Sequence, residues 1–158
     1  KDAGLFCMFN TNEENEELVK RLFVRLGECG IGSDRSVGGG MFEVEFDTIT
    51  LPDVADANAV MLLSQYIPTE DEHAQIAFCD SRYELSRRGG YMAGSNNASL
   101  AHLIKQAVYM FNTASILKMP LLPKGKVVDL APVWNSEEMH PVYRSGRCLA
   151  LPIKITDL

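Results

Sequence analysis

The stretch that decides the fold runs from Cys29 to Phe46 and reads C-G-I-G-S-D-R-S-V-G-G-G-M-F-E-V-E-F. Of the 12 glycines in the chain, five lie here, grouped around the basic residue Arg35. Glycine reaches positive φ at little cost and lets a phosphate or a ribose come close to main-chain N–H groups. The stretch therefore predicts either a loop that binds phosphate through its backbone or a plain turn between two elements.

The position of this glycine loop limits what it can bind. It follows a helical pattern and precedes a strand pattern, whereas a P-loop or a dinucleotide-binding fingerprint follows a strand and opens a helix. It also lacks the Gly-Lys-Ser or Gly-Lys-Thr ending of a P-loop. An ATP-binding site is therefore disfavoured.

The residues before the loop have the pattern of an amphipathic helix. Thr11 and Glu14 form a capping box, and apolar residues then recur at helical spacing up to the loop. We expect a helix from Thr11 to Cys29 that packs on a sheet. The residues expected to make that contact are Leu18, Leu22 and Leu26.

Three segments have the pattern of strands. Gly4 to Phe9 is a short, continuous apolar run, which is typical of a strand buried on both faces. Phe42 to Asp47 alternates apolar and acidic residues, as a half-buried strand does. Ala59 to Ile67 is a further apolar run, which we place in the middle of the sheet and which Pro68 ends.

Thr69 and Glu72 form a second capping box, ahead of a short helix. The order of strand, helix, strand, strand and helix is the opening of a ferredoxin-like fold. For the closing strand we prefer Leu149 to Ile155, with Pro152 at an edge or a bulge, over Arg82 to Arg88. Short strands at residues 107–111, 114–117 and 126–130 would form an insertion. The sequence thus predicts one α+β domain over residues 1–158, with a ferredoxin-like (RRM-like) βαββαβ core and a β-rich insertion.

Length and composition suit a single soluble globular domain, with 158 residues of which 46% are apolar and 23% charged. No apolar run is long enough to span a bilayer and no signal segment opens the chain, so we expect a cytoplasmic protein with no membrane contact. The first residue is Lys1, which suggests a piece of a longer protein. No cofactor or metal site is predicted. Four scattered cysteines, expected to be buried thiols, are Cys7, Cys29, Cys79 and Cys148.

Charge is distributed unevenly along the chain. The net charge is −6, but residues 1–81 hold 16 acidic and 5 basic side chains, whereas residues 82–158 hold 5 acidic and 10 basic ones. A basic second half can attract phosphate, and an acidic first half can face solvent or a basic protein partner. The alternative is that both halves are ordinary solvated surface.

Six motifs follow one another in the order found in a known family. They are Gly30 to Glu43, Gln65 to Glu72, Tyr83 to Tyr91, Val108 to Phe111, Gly125 to Leu130 and His140 to Ile153. On these motifs the chain resembles the RAMP proteins of type III CRISPR effector complexes. More narrowly, it is similar to the C-terminal domain of the fourth Csm subunit in type III-A complexes.

This resemblance implies a non-catalytic RNA-binding subunit in antiviral defence. The family's subunit holds the 5′ handle of the crRNA and docks the large Csm subunit that carries polymerase and nuclease activities. The crRNA and the other Csm subunits are therefore the expected partners. The run of three glycines departs from the commoner family pattern, which has an aromatic residue inside the loop.

The residues expected to contact RNA are glycines and small polar residues that admit the backbone, and arginines that neutralise phosphates. They are Gly30, Gly32, Ser33, Arg35, Ser36, Gly38, Gly39, Gly40, Arg87, Arg88, Arg144 and Arg147. Three tyrosines could stack on splayed bases, namely Tyr91, Tyr109 and Tyr143. Tyr109 lies inside an apolar run, which favours packing in the core instead.

Two other functions remain open. Related RAMP proteins cleave CRISPR transcripts with a histidine, so the chain could be an endoribonuclease that uses His73, His102 or His140. Of these only His102 lies near a basic residue, Lys105. The chain could also be a protein-interaction module that contacts no RNA.

Overall fold

A computed structural model describes residues 4–32, 34–92, 103–132 and 140–156. It separates the chain into two compact units, Lys1–Thr50 and Leu51–Leu158, called here the first and the second unit. The described part combines two α-helices, two short 3-10 helices and seven strands in three small antiparallel sheets. The α+β class is therefore confirmed, while one domain over residues 1–158 stays a prediction.

The first unit is built around helix α1, Glu13–Cys29. Its N-cap is Asn12 and not the predicted Thr11, because the Asn12 side chain accepts a hydrogen bond from the Asn15 backbone N–H at 3.3 Å. An acidic first turn suits the positive end of the helix dipole. The helix ends at Gly30, whose N–H donates to the Leu26 carbonyl at 2.8 Å.

Two predicted strands of the first unit are wrong, because neither Gly4 to Phe9 nor Phe42 to Asp47 pairs with another described strand. Both segments instead pack phenylalanines on α1: the Phe9 ring stacks on Phe23 with centroids 5.3 Å apart, and Phe46 meets Phe23 edge to face at 6.5 Å. Alternating apolar residues predict which face of a segment is buried. A strand also has to pair with the backbone of a neighbouring strand, and the alternation of apolar side chains does not predict whether such a neighbour is present.

The predicted packing of α1 through three leucines is also wrong. Leu18 is 46% exposed, Leu22 58% and Leu26 42%. These residues lie four apart and form one stripe, called here the leucine stripe, beside the face that carries Phe23. The phenylalanines of the first unit cover the Phe23 face, and the leucine stripe next to it stays open.

The strands of the second unit are numbered in chain order. They are β1 Ala59–Leu62, β2 Leu85–Tyr91, β3 Ile104–Phe111, β4 Ile116–Leu117, β5 Val127–Asp129, β6 Tyr143–Ser145 and β7 Ala150–Ile153. Strand β1 is central in an antiparallel sheet of order β4-β1-β7, as predicted. The expectation that residues 114–117 belong to an insertion is wrong, because β4 pairs directly with β1 in this sheet. Strand β7 lies at the edge of that sheet, and Pro152 lies within it, also as predicted. The pairs β2–β3 and β5–β6 form two hairpins.

The core of the second unit gathers around β1. The side chains of Leu62, Tyr66 and Leu117 have no exposed surface, and Tyr66 stacks on Phe111 with ring centroids 5.8 Å apart. Backbone bonds in both directions join Tyr66 to Phe111, so the end of β3 is fixed to the segment that follows β1. The β2–β3 hairpin is thus attached at one end to the hydrophobic core around β1.

Helix α2, Glu70–Gln75, begins with the predicted capping box. Thr69 accepts a hydrogen bond from the Glu72 N–H at 3.2 Å, and the Glu72 carboxylate accepts one from the Thr69 N–H at 2.9 Å. These reciprocal bonds satisfy two donors that a helix start leaves open. No helix in the described part of the chain is long and apolar enough to cross a membrane.

Buried thiols are a further expectation that the structure corrects. Cys7, Cys29 and Cys79 are exposed, because they lie on a short extended segment, at a helix end and in a surface 3-10 turn. Only Cys148 is half-buried. Burial, together with the negative charge of Glu72, raises the pKa of the Cys148 thiol to about 12.

Candidate nucleic-acid interface

The glycine loop is a folded, hydrogen-bonded turn. Residues Asp34–Val37 form a 3-10 turn, and the Gly39 N–H donates to the Asp34 carbonyl at 3.0 Å. The Ile31 N–H donates to the Gly40 carbonyl at 2.9 Å and closes the loop on the end of α1. Gly40 has φ 76° and a Cβ there would overlap the Ile31 carbonyl, so this position requires glycine.

The side chains of the loop face outward. Arg35 and Ser36 are exposed, as are Gly32 and Gly38, while Gly30 is buried under the turn. Ser33 lies outside the described residues. The loop thus presents the Arg35 guanidinium beside the exposed Asp34 carboxyl group, and the phosphate contact stays a prediction.

Arg87 and Tyr109 form a cross-strand pair on the β2–β3 hairpin. The expectation that Tyr109 packs in the core is wrong, since its side chain is 62% exposed. Successive residues of a strand point to opposite faces, so the neighbour Met110 is buried and Tyr109 is not. The apolar run around Tyr109 indicated a strand correctly but did not show which residues face inward.

Arg88 points to the opposite face of the hairpin. With the Gln65 amide turned so that its oxygen faces the guanidinium, that oxygen accepts from Arg88 Nε at 3.1 Å and from Nη2 at 2.6 Å. Arg88 is therefore held in one position, whereas Arg87 makes no such bond to a described residue. The two adjacent arginines are not equivalent.

The second hairpin contributes the other predicted arginines. Arg144 pairs with Val128 and Tyr143 with Asp129, so their side chains lie on opposite faces of β6. Tyr143 is 70% exposed. Arg147 follows the strand and is also exposed.

Gly146 fixes the base of this hairpin. Its N–H donates to the Lys126 carbonyl at 2.9 Å, and its carbonyl accepts from the Ile67 N–H at 3.0 Å. A Cβ at Gly146 would overlap the Ile67 side chain, so this close approach requires glycine. Arg144 and Arg147 are thereby anchored, through the chain beside them, to the core of the second unit.

The Glu72 carboxylate fixes the backbone that leads into β5. The sequence predicted its role in the capping box but not these further contacts. The carboxylate accepts hydrogen bonds from the N–H groups of Lys124, at 2.6 Å, and Gly125, at 3.2 Å, and from the Tyr66 hydroxyl, at 3.2 Å. Burial alone would raise the pKa of this carboxyl group, but the N–H bonds from Thr69, Lys124 and Gly125 outweigh it and lower the pKa. Burial and the nearby Glu72 charge raise the pKa of Tyr66.

The two hairpins lie next to each other. The Gln106 N–H of β3 donates to the Leu130 carbonyl, just after β5, at 2.8 Å. The second unit therefore brings the Arg87–Arg88 pair and the Arg144–Arg147 pair onto neighbouring hairpins. The glycine loop belongs to the first unit.

Several of the predicted arginines form no ion pair with any residue that the structure describes. The ion pairs in the described ranges involve Lys20, Arg25, Lys118 and Lys154. None of them includes Arg35, Arg87, Arg144 or Arg147, so none of these four guanidinium groups has an ion pair with a described residue. Exposed aromatic rings accompany them, since Tyr91 is open as well as Tyr109 and Tyr143.

The histidines do not gather into a site within the part that the structure describes. The His73 ring packs against Phe78 with centroids 5.1 Å apart, and His140 Nδ1 lies 2.9 Å from the Pro141 carbonyl. His102 falls outside the described residues. Among the residues of known placement, no group of three or more His, Cys, Asp and Glu side chains could hold a metal ion.

Comparison with known proteins agrees with the division into units. The family model of the CRISPR Csm4 C-terminal domain matches residues 55–153, close to the extent of the second unit. The "CRISPR system Cms protein Csm4" of Mycobacterium tuberculosis is 32% identical over 155 residues, covering 96% of this chain and 48% of that protein.

Two further relatives carry the same name. The protein of Methanocaldococcus jannaschii is 28% identical over 179 residues, which cover 96% of this chain and 44% of the relative. That of Streptococcus thermophilus is 26% identical over 149 residues, which cover 84% and 48%. The chain spans about half the length of the curated relatives it matches. Since the family model accounts for well over half of its residues, the chain belongs to the CRISPR Csm4 family.

Proposed function

We propose that this chain is a non-catalytic, RNA-binding part of a subunit of a type III-A Csm complex. In this role it holds the 5′ handle of the crRNA and docks the large Csm subunit that carries polymerase and nuclease activities. The complex works in the cytoplasm in antiviral defence. Family membership supports the assignment to a Csm complex, and the surface chemistry supports the contact with RNA.

The observation that carries the proposal is the exposed pair of Arg87 and Tyr109. The Arg87 guanidinium, which has no ion pair within the described residues, lies across the ladder from an open aromatic ring. Single-stranded RNA is bound by this combination, because bases stack on aromatic rings while cations neutralise the phosphates. On the neighbouring hairpin Tyr143 and Arg147 are also exposed, although Tyr143 lies across the ladder from Asp129. Arg35 adds a phosphate contact in the glycine loop.

We also propose that the sheet around β1 belongs to a ferredoxin-like fold. Support comes from the central position of β1, the antiparallel neighbour β7 at the edge, and the capped helix α2 that follows β1. Along the chain these elements follow one another as strand, helix and strand, which is the order of elements in the second half of a βαββαβ core. The hairpins β2–β3 and β5–β6 are then the β-rich insertion.

Titration with a single-stranded RNA of CRISPR-repeat sequence tests the contact. Tyr109→Ala should weaken binding by about 1–3 kcal/mol, the usual value of a stacked base, while Tyr109→Phe should retain most of the affinity. Arg87→Ala should reduce the slope of log affinity against log salt by about 0.7, since one phosphate contact is lost. Fluorescence anisotropy at four or more salt concentrations measures both effects.

Lys154→Ala is the matched control for charge. It removes one positive charge as Arg87→Ala does, but Lys154 already pairs with Asp56 at 3.7 Å and lies beyond β7. We expect its affinity and salt slope to equal those of the wild type. Equal affinities for Tyr109→Ala, Arg87→Ala and the wild type would contradict an RNA contact at this hairpin.

The non-catalytic assignment and the docking role need separate tests. Incubation of the full-length subunit with repeat RNA in chelator should leave the RNA intact, and metal-independent cutting lost in His102→Ala would support the endoribonuclease instead. Docking is tested by copurification of the full-length subunit with the large Csm subunit. A subunit that binds RNA but does not retain the large subunit would refute the docking role alone.

A further inference from the structure

The leucine stripe of α1 is the most exposed apolar helix face in the described part of the chain. Leu18, Leu22 and Leu26 lie in line over two turns, and each is between 42% and 58% exposed among the described residues. The acidic and basic residues of α1 lie largely on its other sides, where Lys20 pairs with Glu16 at 2.6 Å. One side of α1 therefore carries solvated, ion-paired residues, whereas the leucine stripe is an apolar surface exposed to solvent.

The adjacent face of α1 is already covered by the first unit itself. Phe9 and Phe46 pack on Phe23, and Gly27 lies so close to the Phe42 carbonyl that a Cβ would overlap it. The two segments that supply these contacts are those with strand-like sequences and no ladder. Within residues 4–32 and 34–50, the first unit thus has a helix and two extended segments but no strand that pairs with them.

The starts of the family match and of the second unit indicate which part of the polypeptide covers the leucine stripe. The match to the C-terminal domain starts at residue 55, and the second unit starts at Leu51. The first unit therefore lies outside the matched C-terminal domain, on its amino-terminal side. The relatives are about twice as long as this chain. Because the matched domain is the C-terminal one, further length of such a protein precedes the first unit.

We infer that the first unit is the closing part of the domain that precedes the C-terminal domain in the full-length subunit. The amino-terminal half of the same polypeptide covers the leucine stripe and supplies strands that pair with residues 4–9 and 42–47. The glycine loop then belongs to that preceding domain. This assignment differs from the expectation of one domain over residues 1–158.

Cysteine labelling tests the inference. Leu22→Cys is prepared in the 158-residue chain and in the full-length subunit, taken as a chain of the length of its relatives, and maleimide labelling is followed by peptide mass spectrometry. Mass spectrometry separates the new site from Cys7, Cys29 and Cys79. We expect labelling of Leu22→Cys to slow by about tenfold or more in the full-length subunit, as for a site reached only by local opening.

Glu17→Cys is the matched control. The Glu17 side chain is 80% exposed on another side of the same helix, where it pairs with Lys20 at 3.6 Å. Its labelling rate should be the same in both proteins. A second pair of variants, Leu22→Asp and Glu17→Asp in the full-length subunit, should show a lowered melting temperature for Leu22→Asp only.

Three outcomes would overturn the inference. Equal labelling of Leu22→Cys in the two proteins would show that the amino-terminal half does not cover the stripe. Protection that appears only when other Csm subunits are added would identify another subunit as the partner. Protection that rises with protein concentration would identify a second copy of the chain. None of these readouts depends on RNA, so the inference and the proposed RNA contact can fail independently.

Discussion

Replacement of Glu72 by glutamine should destabilise the second unit, although it removes no apolar surface. The Glu72 Oε1 atom accepts from Lys124 N–H, and Oε2 accepts from Thr69 N–H and the Tyr66 hydroxyl. In glutamine one of these oxygens becomes an NH₂ group that faces donors. At least one N–H donor therefore loses its acceptor.

The expected cost follows from the type of bond that is lost. Hydrogen bonds to a charged group contribute roughly 1.5–3 kcal/mol, and we expect a loss in this range for Glu72→Gln. Glu70→Gln is the matched control, since Glu70 lies in the same first turn of α2 and is exposed. It should change stability by less than about 0.5 kcal/mol. Urea unfolding followed by circular dichroism measures both.

The dependence on pH provides a second, independent test. The pKa of Glu72 is lower in the folded chain than in the unfolded one, so its contribution is fully present above the ordinary glutamate value of about 4.3. The contribution is lost as the pH falls through the lower folded pKa. The difference between wild type and Glu72→Gln should therefore shrink in acid. A difference that is absent at neutral pH, or that stays constant into strong acid, would refute this account.

Four further substitutions test the core and the two parts of the interface. Leu62→Ala should cost about 2–5 kcal/mol in urea unfolding, because Leu62 is fully buried at the centre of the sheet. Gly146→Ala should cost about 1–3 kcal/mol in the same assay, because the added methyl group meets the Ile67 side chain. In RNA titrations Arg35→Ala should reduce the salt slope by about 0.7. Gly39→Val should weaken RNA binding and leave the salt slope nearly unchanged, since its Cβ would lie 3.0 Å from Asp34 and distort the loop. Equal affinities of the wild type, Arg35→Ala and Gly39→Val for RNA would show that the loop is only a turn.

The elements with local signals could be predicted from the sequence. The capping box at Thr69 needs only residues three apart, and it is present in the structure. The apolar run at Ala59 and the edge proline at Pro152 likewise gave the centre and the edge of one sheet correctly. In each case the signal and the structure involve the same few residues.

Features that depend on distant residues could not be predicted. Gly4 to Phe9 has the pattern of a buried strand, but whether it pairs depends on a neighbour elsewhere in the polypeptide. The same holds for Leu22, whose helical spacing predicts an apolar face and not what covers it. In the candidate interface, the arginines of β2 look alike in sequence, and only the contact with Gln65, 23 residues before Arg88, distinguishes them.

Pro152 has a consequence for how the isolated chain behaves in solution. Leu149 and Ile153 accept hydrogen bonds from the Leu63 and Asn58 N–H groups, so their backbones turn toward β1. Successive residues of a strand direct their backbone N–H and C=O groups to opposite neighbours. The Pro152 nitrogen is therefore directed to the side of β7 that faces away from β1. That nitrogen carries no hydrogen, so a further strand arriving there would find one donor missing. The sheet thus resists edge-to-edge aggregation at this strand, and Pro152→Ala should shorten the lag time of aggregation at high protein concentration.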